Sequence, residues 1–214
     1  MNKQTSLSLL AAALVSIGLM TAFTGTGASA DEVDDIQDAL DGLRDLPFDK
    51  FVDASYKQIL LRNPEMVTSL GLSRVLGIRD DRLDDICNSY VADTYRLKAG
   101  IREILGAYDL SALSYEQRIS YDSYSWLLAD WRVEQEFMYH IYPVTHEFSR
   151  QNDLFRFLED EHPLESLENV EDYISRLKQV DDQFACLTSN LRDSEERGIM
   201  APAQMLQRAA DGVR

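Results

Sequence analysis

The chain has 214 residues, with 37 acidic side chains against 21 basic ones, which gives a formal net charge of −16. Hydrophobic residues make up 45% of it, too many for a disordered acidic tail. The negative charge excludes a nucleic-acid partner, because a phosphate backbone would be repelled. The length suits a single ordinary domain.

Residues 1–30 have the layout of a secretory signal peptide. A positive start precedes an apolar run, and Ala28 and Ala30 are the small residues that a signal peptidase reads. We expect cleavage before Asp31, which leaves a secreted or periplasmic chain of residues 31–214 with a formal charge of −17. We expect no stable membrane anchor, since glycines interrupt the run and it is short of the ~20 apolar residues that a bilayer requires.

Apolar residues recur at three- and four-residue spacing over most of the mature chain, which predicts an all-α bundle of long antiparallel helices. Ser114 and Gln117 form a capping-box signature at the start of one long helix. Gly100 and Gly106 lie inside another, where glycine costs up to ~1 kcal/mol relative to alanine, and close helix packing is one reason to place it there. The remaining helices are predicted at 32–42, 48–61, 64–71, 89–108, 152–160, 170–197 and 202–211.

The clearest periodicity lies near the C-terminus of the chain. Apolar residues at steps of three and four share one stripe: Val170, Ile174, Leu177, Val180, Phe184, Leu187 and Leu191. Asn169 is the predicted N-cap, because the capping box that would favour Ser166 is missing. The stripe is predicted to be buried in the bundle.

Cys87 and Cys186 are the two cysteines of the chain. In an oxidising compartment they can pair and close a loop of about a hundred residues, which stabilises a fold by ~4–5 kcal/mol in the loop-entropy model. The alternative is that each is a small hydrophobic residue buried on a helix. Both alternatives stay open, because a sequence does not supply the distance that a disulfide needs.

No catalytic or metal-binding residue is predicted from the motifs. His146 begins the zincin pattern HExxH, but Arg150 occupies the place of the second histidine. Pro143 separates His140 from His146, so the two do not share a continuous helix. His162 follows three acidic residues and is interpreted as a histidine at a solvated helix end.

The segment from Tyr115 to Tyr142 contains eight aromatic residues, which either line a ligand cleft or belong to the core, the more common use. Trp126 and Trp131 are five positions apart, so both cannot point straight inward, and one is expected to face a groove or a missing partner segment. Asp130 and Glu134 are carboxylates one turn apart, and we expect them to share a solvated face.

Several short segments agree with one known family. They are PFDKF at 47–51, LRNPE at 61–65, TSLGL at 68–72, LSYEQ at 113–117 and YISRL at 173–177. In this order and approximate spacing, the series resembles the N-terminal half of the bacterial domain-of-unknown-function 885 family. The matched residues read as structural: Asn63 is expected to cap a helix that starts at Pro64, and Arg176 to pair with a carboxylate across the bundle.

The resemblance implies a secreted relative of helical, zincin-type zinc metallopeptidases, whose HExxH helix lies in the C-terminal half of a longer chain. No position here matches that motif, so no catalytic or metal-binding residue is carried over, and zinc is implied only for the full-length proteins. Residues 31–214 are then expected to be the N-terminal, non-catalytic part of a larger helical protein, truncated and inactive alone. They would wall the cleft for a peptide substrate. The alternative is a stand-alone periplasmic binding or interaction module.

Overall fold

The computed structural model describes residues 30–140, 142–146 and 149–212, so the expected signal residue Ala28 lies outside the described residues. Within these ranges the regular elements are helical, which confirms the all-α prediction. An isolated β-bridge joins Val144 to Ser149, and the described residues form no strand. Over the same ranges no helix combines the length and the apolar character that a membrane span requires.

The described part of the chain contains nine α-helices. They are α1 (Ala30–Asp41), α2 (Phe48–Leu60), α3 (Pro64–Ser69), α4 (Ser73–Leu76), α5 (Asn88–Gly106), α6 (Tyr115–Glu136), α7 (Arg150–Arg156), α8 (Leu167–Glu196) and α9 (Ala203–Gly212). A π-helical turn, Phe157–Glu161, continues α7. Residues 78–87 join α4 to α5 without regular structure, and we call them the connecting segment.

The two long helices α6 and α8 are both capped by serine. Ser114 Oγ accepts from the Gln117 amide at 3.2 Å, and the Gln117 side chain accepts from the Ser114 amide at 3.0 Å, which confirms the capping box. The N-cap predicted for α8 is wrong. The helix begins one turn before Val170, because Ser166 Oγ accepts from the Asn169 amide at 3.2 Å without needing an acidic partner.

The main core lies between α1, α2, α5 and α6. Phe51 and Ile101 are fully buried at its centre. Of the aromatic residues on α6, Tyr124 is buried, and Trp131 packs at the edge of this core. Trp126, by contrast, points outward with 68% of its surface exposed, so the expected division of the two tryptophans is confirmed.

A smaller core lies beneath α8. It consists of Leu83, Leu154, Phe157 and Leu158, with Tyr173, Val180 and Phe184 packed against it. The prediction that the whole apolar stripe of α8 is buried is wrong. Leu187 is buried and Phe184 is partly buried, but Val170, Ile174, Leu177 and Leu191 are exposed. The physical reason is that α8 turns a different, polar face inward.

Gly100 on α5 packs directly against a side chain of α1. A methyl group built at Gly100 would lie 2.4 Å from Cδ1 of the buried Leu40, whereas one built at Gly106 meets nothing within 4 Å. Close packing therefore explains Gly100, and it does not explain Gly106.

Gly100→Ala should lower the free energy of unfolding by ~1–3 kcal/mol, because Leu40 must move out of a packed site. Gly106→Ala is the matched control in the same helix, and it should leave stability unchanged or raise it by up to ~1 kcal/mol through helix propensity. Denaturant unfolding of the two variants measures the difference. Equal stability of both variants would contradict a packing role for Gly100.

Candidate functional site

The inward face of α8 is polar over most of its length. Asp172, Arg176, Gln183 and Asn190 are all buried there at helical spacing. This face lies against the connecting segment, whose backbone lies outside any helix or strand and is paired in other ways. The side chains of α8 therefore take the place of a neighbouring strand.

The hydrogen bonds follow the connecting segment in order along α8. Gln179 donates to Asp81 O at 2.7 Å and accepts from Leu83 N at 2.9 Å, Gln183 donates to Asp84 O at 2.7 Å, and Asn190 donates to Ile86 O at 2.8 Å. Each bond satisfies a backbone group that would be costly to bury alone. The segment is held in one register by this ladder.

Cys87 and Cys186 also join the connecting segment to α8. The two are joined by a disulfide, with their Cα atoms 4.9 Å apart, although they are 99 positions apart in sequence. The bond links the last residue before α5 to the inward side of α8. Of the two alternatives that the sequence left open, the structure contains the paired one.

Arg176 is the largest of the fully buried side chains. Its Nε donates to Arg82 O at 2.9 Å, its Nη1 to His162 Nδ1 at 2.6 Å and its Nη2 to Thr68 Oγ1 at 2.5 Å. The guanidinium also lies 4.8 Å from the centre of the Phe157 ring. The expected direct pairing with a carboxylate is wrong, because these three acceptors are uncharged groups.

Carboxylates nevertheless surround Arg176 at longer range. Burial lowers the pKa of the Arg176 guanidinium, and the negative charges of Asp80, Glu65, Asp172 and Asp84 act in the opposite direction. Asp172 is itself bonded to Arg79, whose Nε donates to it at 2.7 Å. The buried cation is thus balanced by several acids rather than by one partner.

His162 is buried, which corrects the interpretation of this residue as a histidine at a solvated helix end. Its Nε2 lies 2.9 Å from the carbonyl oxygen of Asn169, which can only accept, so Nε2 carries the proton. Nδ1 is then free to accept from Arg176. Both ring nitrogens are engaged within the fold, where they position the guanidinium.

Glu65 and Asp84 form a pair of neighbouring carboxylates. The Glu65 amide donates to Asp84 Oδ1 at 3.0 Å, and the Asp84 amide donates to Glu65 Oε1 at 2.8 Å. Arg150 clamps Glu65 through both terminal nitrogens, with Nη1 at 2.8 Å from Oε2. Burial, together with the Glu65 charge, raises the pKa of Asp84 to about 7.

Zinc, which the resemblance implies for full-length proteins, does not fit the residues described here. The described group of three ligand-type side chains within 4.8 Å of one another is Asp85 with Cys87 and Cys186, and both sulfurs are bonded to each other. His162 uses both nitrogens inside the fold, and His140 meets the Phe137 ring edge to face, with 5.9 Å between the ring centres.

A groove of about 510 Å³ runs between α5 and α6. Three cations and three aromatic rings contribute to its lining: Lys98, Arg102, Arg132, Tyr95, Tyr121 and Trp131. The expectation that Asp130 and Glu134 share a solvated face is only partly right. Asp130 is exposed, but Glu134 is partly buried, and this burial raises its pKa while the positive charge of Lys98 lowers it.

Sequence reasoning missed both the polar face of α8 and the position of Lys98. The spacing of Asp172, Arg176, Gln179 and Gln183 could have revealed the polar face, since it is as regular as the apolar stripe. Nothing in the sequence distinguishes Lys98 from the other lysines, because its setting depends on how α5 and α6 pack.

The pair of carboxyl groups, Glu65 and Asp84, makes the stability of the fold depend on pH. Folded Asp84 binds its proton more tightly than an unfolded Asp with the ordinary pKa of 3.8, so ionisation destabilises the fold as pH rises from about 4 to about 7. Asp84→Asn keeps the oxygen that accepts from the Glu65 amide and removes the charge. It should be neutral near about pH 4 and stabilising by at least ~1 kcal/mol near about pH 8.

Denaturant unfolding at both pH values checks this prediction. Asp122→Asn, at an exposed carboxylate on α6, is the control and should change neither value appreciably. A variant Asp84→Asn with the pH dependence of the original chain would show that another group titrates instead.

The comparison with known proteins concerns the part of the chain that carries this network. Residues 64–214 match the family model described as "Bacterial protein of unknown function (DUF885)". No curated protein and no solved structure matches the chain. The matched range begins at α3 and includes Thr68, Cys87, His162 and Arg176. Since it spans well over half of the chain, the protein belongs to the bacterial DUF885 family.

Proposed function

We propose that this chain is the N-terminal, non-catalytic part of a secreted zinc-metallopeptidase-like protein, in which it walls the substrate cleft. The observation that carries the proposal is an exposed row of apolar side chains on the outer face of α8. These side chains are Leu167, Val170, Ile174 and Leu177, with 85%, 41%, 47% and 47% of their surfaces exposed, and we call them the α8 row.

The α8 row has the form of a helix-packing surface. Steps of three, four and three residues place its members on one face, which extends over ~15 Å at 1.5 Å per residue. Exposed acids such as Glu168 and Glu171 lie beside it. Single exposed apolar residues are ordinary, but a continuous row rimmed by charge is typical of a surface that packs against a partner. The resemblance suggests that the partner is a further helical part of the same protein.

Export is part of the proposal. The expected signal peptide supports it, and so does the disulfide between Cys87 and Cys186, since such bonds persist in secreted and periplasmic proteins and are rare in the cytosol. A zinc-dependent peptidase activity is proposed only for the larger protein. No residue of this chain is assigned to the reaction.

Purified residues 31–214 test the proposal in three measurements. Metal analysis by mass spectrometry should find no stoichiometric zinc, and a mixed peptide library should remain uncleaved. Sedimentation should show association that grows with concentration and is reduced by Ile174→Glu in the α8 row. Val75→Glu is the matched control, because Val75 is 79% exposed on α4 and should leave association unchanged.

Zinc at one per chain, with hydrolysis that is lost on chelation, would overturn the proposal. The nucleotide sequence after the codon for Arg214 provides an independent check, and the proposal expects a frame that encodes HExxH. A clean, inactive monomer with no such frame would favour the second candidate, a stand-alone binding module. The groove between α5 and α6 is the observation that favours this candidate.

A further inference from the structure

The Lys98 side chain is in an unusual position for a lysine. Its Nζ lies 4.2 Å from the centre of the Trp131 ring and 5.4 Å from the centre of the Tyr95 ring. No hydrogen bond or ion pair joins the ammonium group to another described residue, so its contacts there are with aromatic faces. A partly buried cation that makes no direct hydrogen bond or ion pair is costly, because ring faces replace only part of its hydration.

The charges around Lys98 do not remove this cost. Burial lowers the pKa of Lys98 to about 8, with the positive charge of Arg62 adding to the effect and the Glu134 carboxylate opposing it. Glu134 lies on α6, and Arg62 follows α2. At neutral pH the side chain is still mostly protonated, so its ammonium group can donate hydrogen bonds to an anionic ligand. Its three N–H donors make no hydrogen bond with the described residues.

The side chains that line the groove carry a net positive charge, whereas the protein as a whole is negative. Lys98, Arg102 and Arg132 line it against the single acid Glu103, although the chain has a net charge of −16. Arg132 is 3.9 Å from Glu136, an exposed pair that contributes little and can open. A local excess of positive charge attracts an anion to this groove rather than to the acidic surface around it.

The size and the aromatic lining restrict the kind of anion. A volume of about 510 Å³ lies in the range that accommodates a small organic molecule, and it exceeds what an inorganic ion needs. Tyr121 and Trp131 offer ring surfaces on the α6 side. Aromatic rings stack or meet edge to face at such surfaces, which adds affinity beyond the burial of area.

We propose that the groove between α5 and α6 binds an aromatic carboxylate, whose ring packs against Tyr121 and Trp131 and whose carboxylate accepts from the Lys98 ammonium. This inference is independent of the role proposed for the α8 row. The same chemistry is found in a free arylalkanoic acid and at the C-terminus of a peptide that ends in an aromatic residue. The two sources are separated by the test.

The binding test uses the fluorescence of Trp131. The chain has two tryptophans, and Trp126→Phe removes the exposed one, which does not line the groove. The mature chain with this substitution is titrated with 3-phenylpropionate and with the neutral 3-phenylpropionamide. The acid should give a saturable change and bind at least about ten-fold more tightly than the amide, the effect of one charge-assisted hydrogen bond. N-acetyl-Gly-Gly-Phe and its C-terminal amide form the peptide arm.

Substitution and pH identify the group that recognises the carboxylate. Lys98→Met should weaken binding of the acid by at least about ten-fold and leave binding of the amide unchanged. Lys98→Arg should retain most of the affinity, and Lys178→Met, at an exposed lysine on α8, should have no effect. In the parent, binding of the acid should weaken as pH rises through about 8, because Lys98 loses its proton there.

Several results would overturn the proposal. Equal affinity for the acid and the amide would do so, as would acid binding that Lys98→Met leaves unchanged. No saturable binding of the free acid or of the peptide up to about 10 mM would also contradict it. Thermal unfolding shows whether Lys98→Met folds. If it does not, the comparison of the acid with the amide and the pH profile still test the proposal. Tighter binding of the acetylated peptide would identify a peptide C-terminus as the source.

Discussion

The fold of the C-terminal half depends on how α8 satisfies the backbone of the connecting segment. Residues 78–87 form neither helix nor strand, although Leu83 in this segment is buried in the smaller core. Buried backbone groups must be paired, and here side chains pair them. Gln179, Gln183 and Asn190 do so directly, while Arg176 ties the carbonyl of Arg82 to Thr68 on α3 and to His162.

This requirement determines which face of α8 points inward. Only one face of a helix can point toward a given neighbour. Because Asp172, Arg176 and Gln183 occupy the face that points inward, apolar residues on the other faces of α8 cannot be buried there. Part of the apolar stripe, at Phe184 and Leu187, still reaches the smaller core. Four members of the stripe remain on the surface: Val170, Ile174, Leu177 and Leu191. The exposed α8 row and the buried polar face are therefore two consequences of the same constraint.

The sequence predicted the helices far better than it predicted the faces they bury. Periodicity found the long helices, and Ser114 with Gln117 identified one start, since these signals are local. The orientation of α8 could not be read in the same way, because it carries a polar and an apolar stripe of similar regularity. The choice depends on the connecting segment almost a hundred residues earlier.

The candidate sites show the same limit. The pairing of Cys87 with Cys186 depends on the distance between them in space, which the sequence does not contain. His162 stands beside acids in the chain but meets Arg176 in space. Lys98 acquires its setting from rings on two different helices, Tyr95 and Trp131. Family membership was predictable from a series of short motifs, and several of them, such as TSLGL at 68–72 and YISRL at 173–177, lie inside the matched range.

Two substitutions on α8 compare the buried polar face with the apolar row most directly. Arg176→Met replaces the buried guanidinium by an apolar chain and leaves Arg82 O, Thr68 and the surrounding acids without it. It should lower the free energy of unfolding by ~3–5 kcal/mol. Ile174→Ser, two positions away in the exposed row, should change it by less than ~1 kcal/mol. Denaturant unfolding measures both values. A large loss for Ile174→Ser with little loss for Arg176→Met would show that α8 buries its apolar stripe instead.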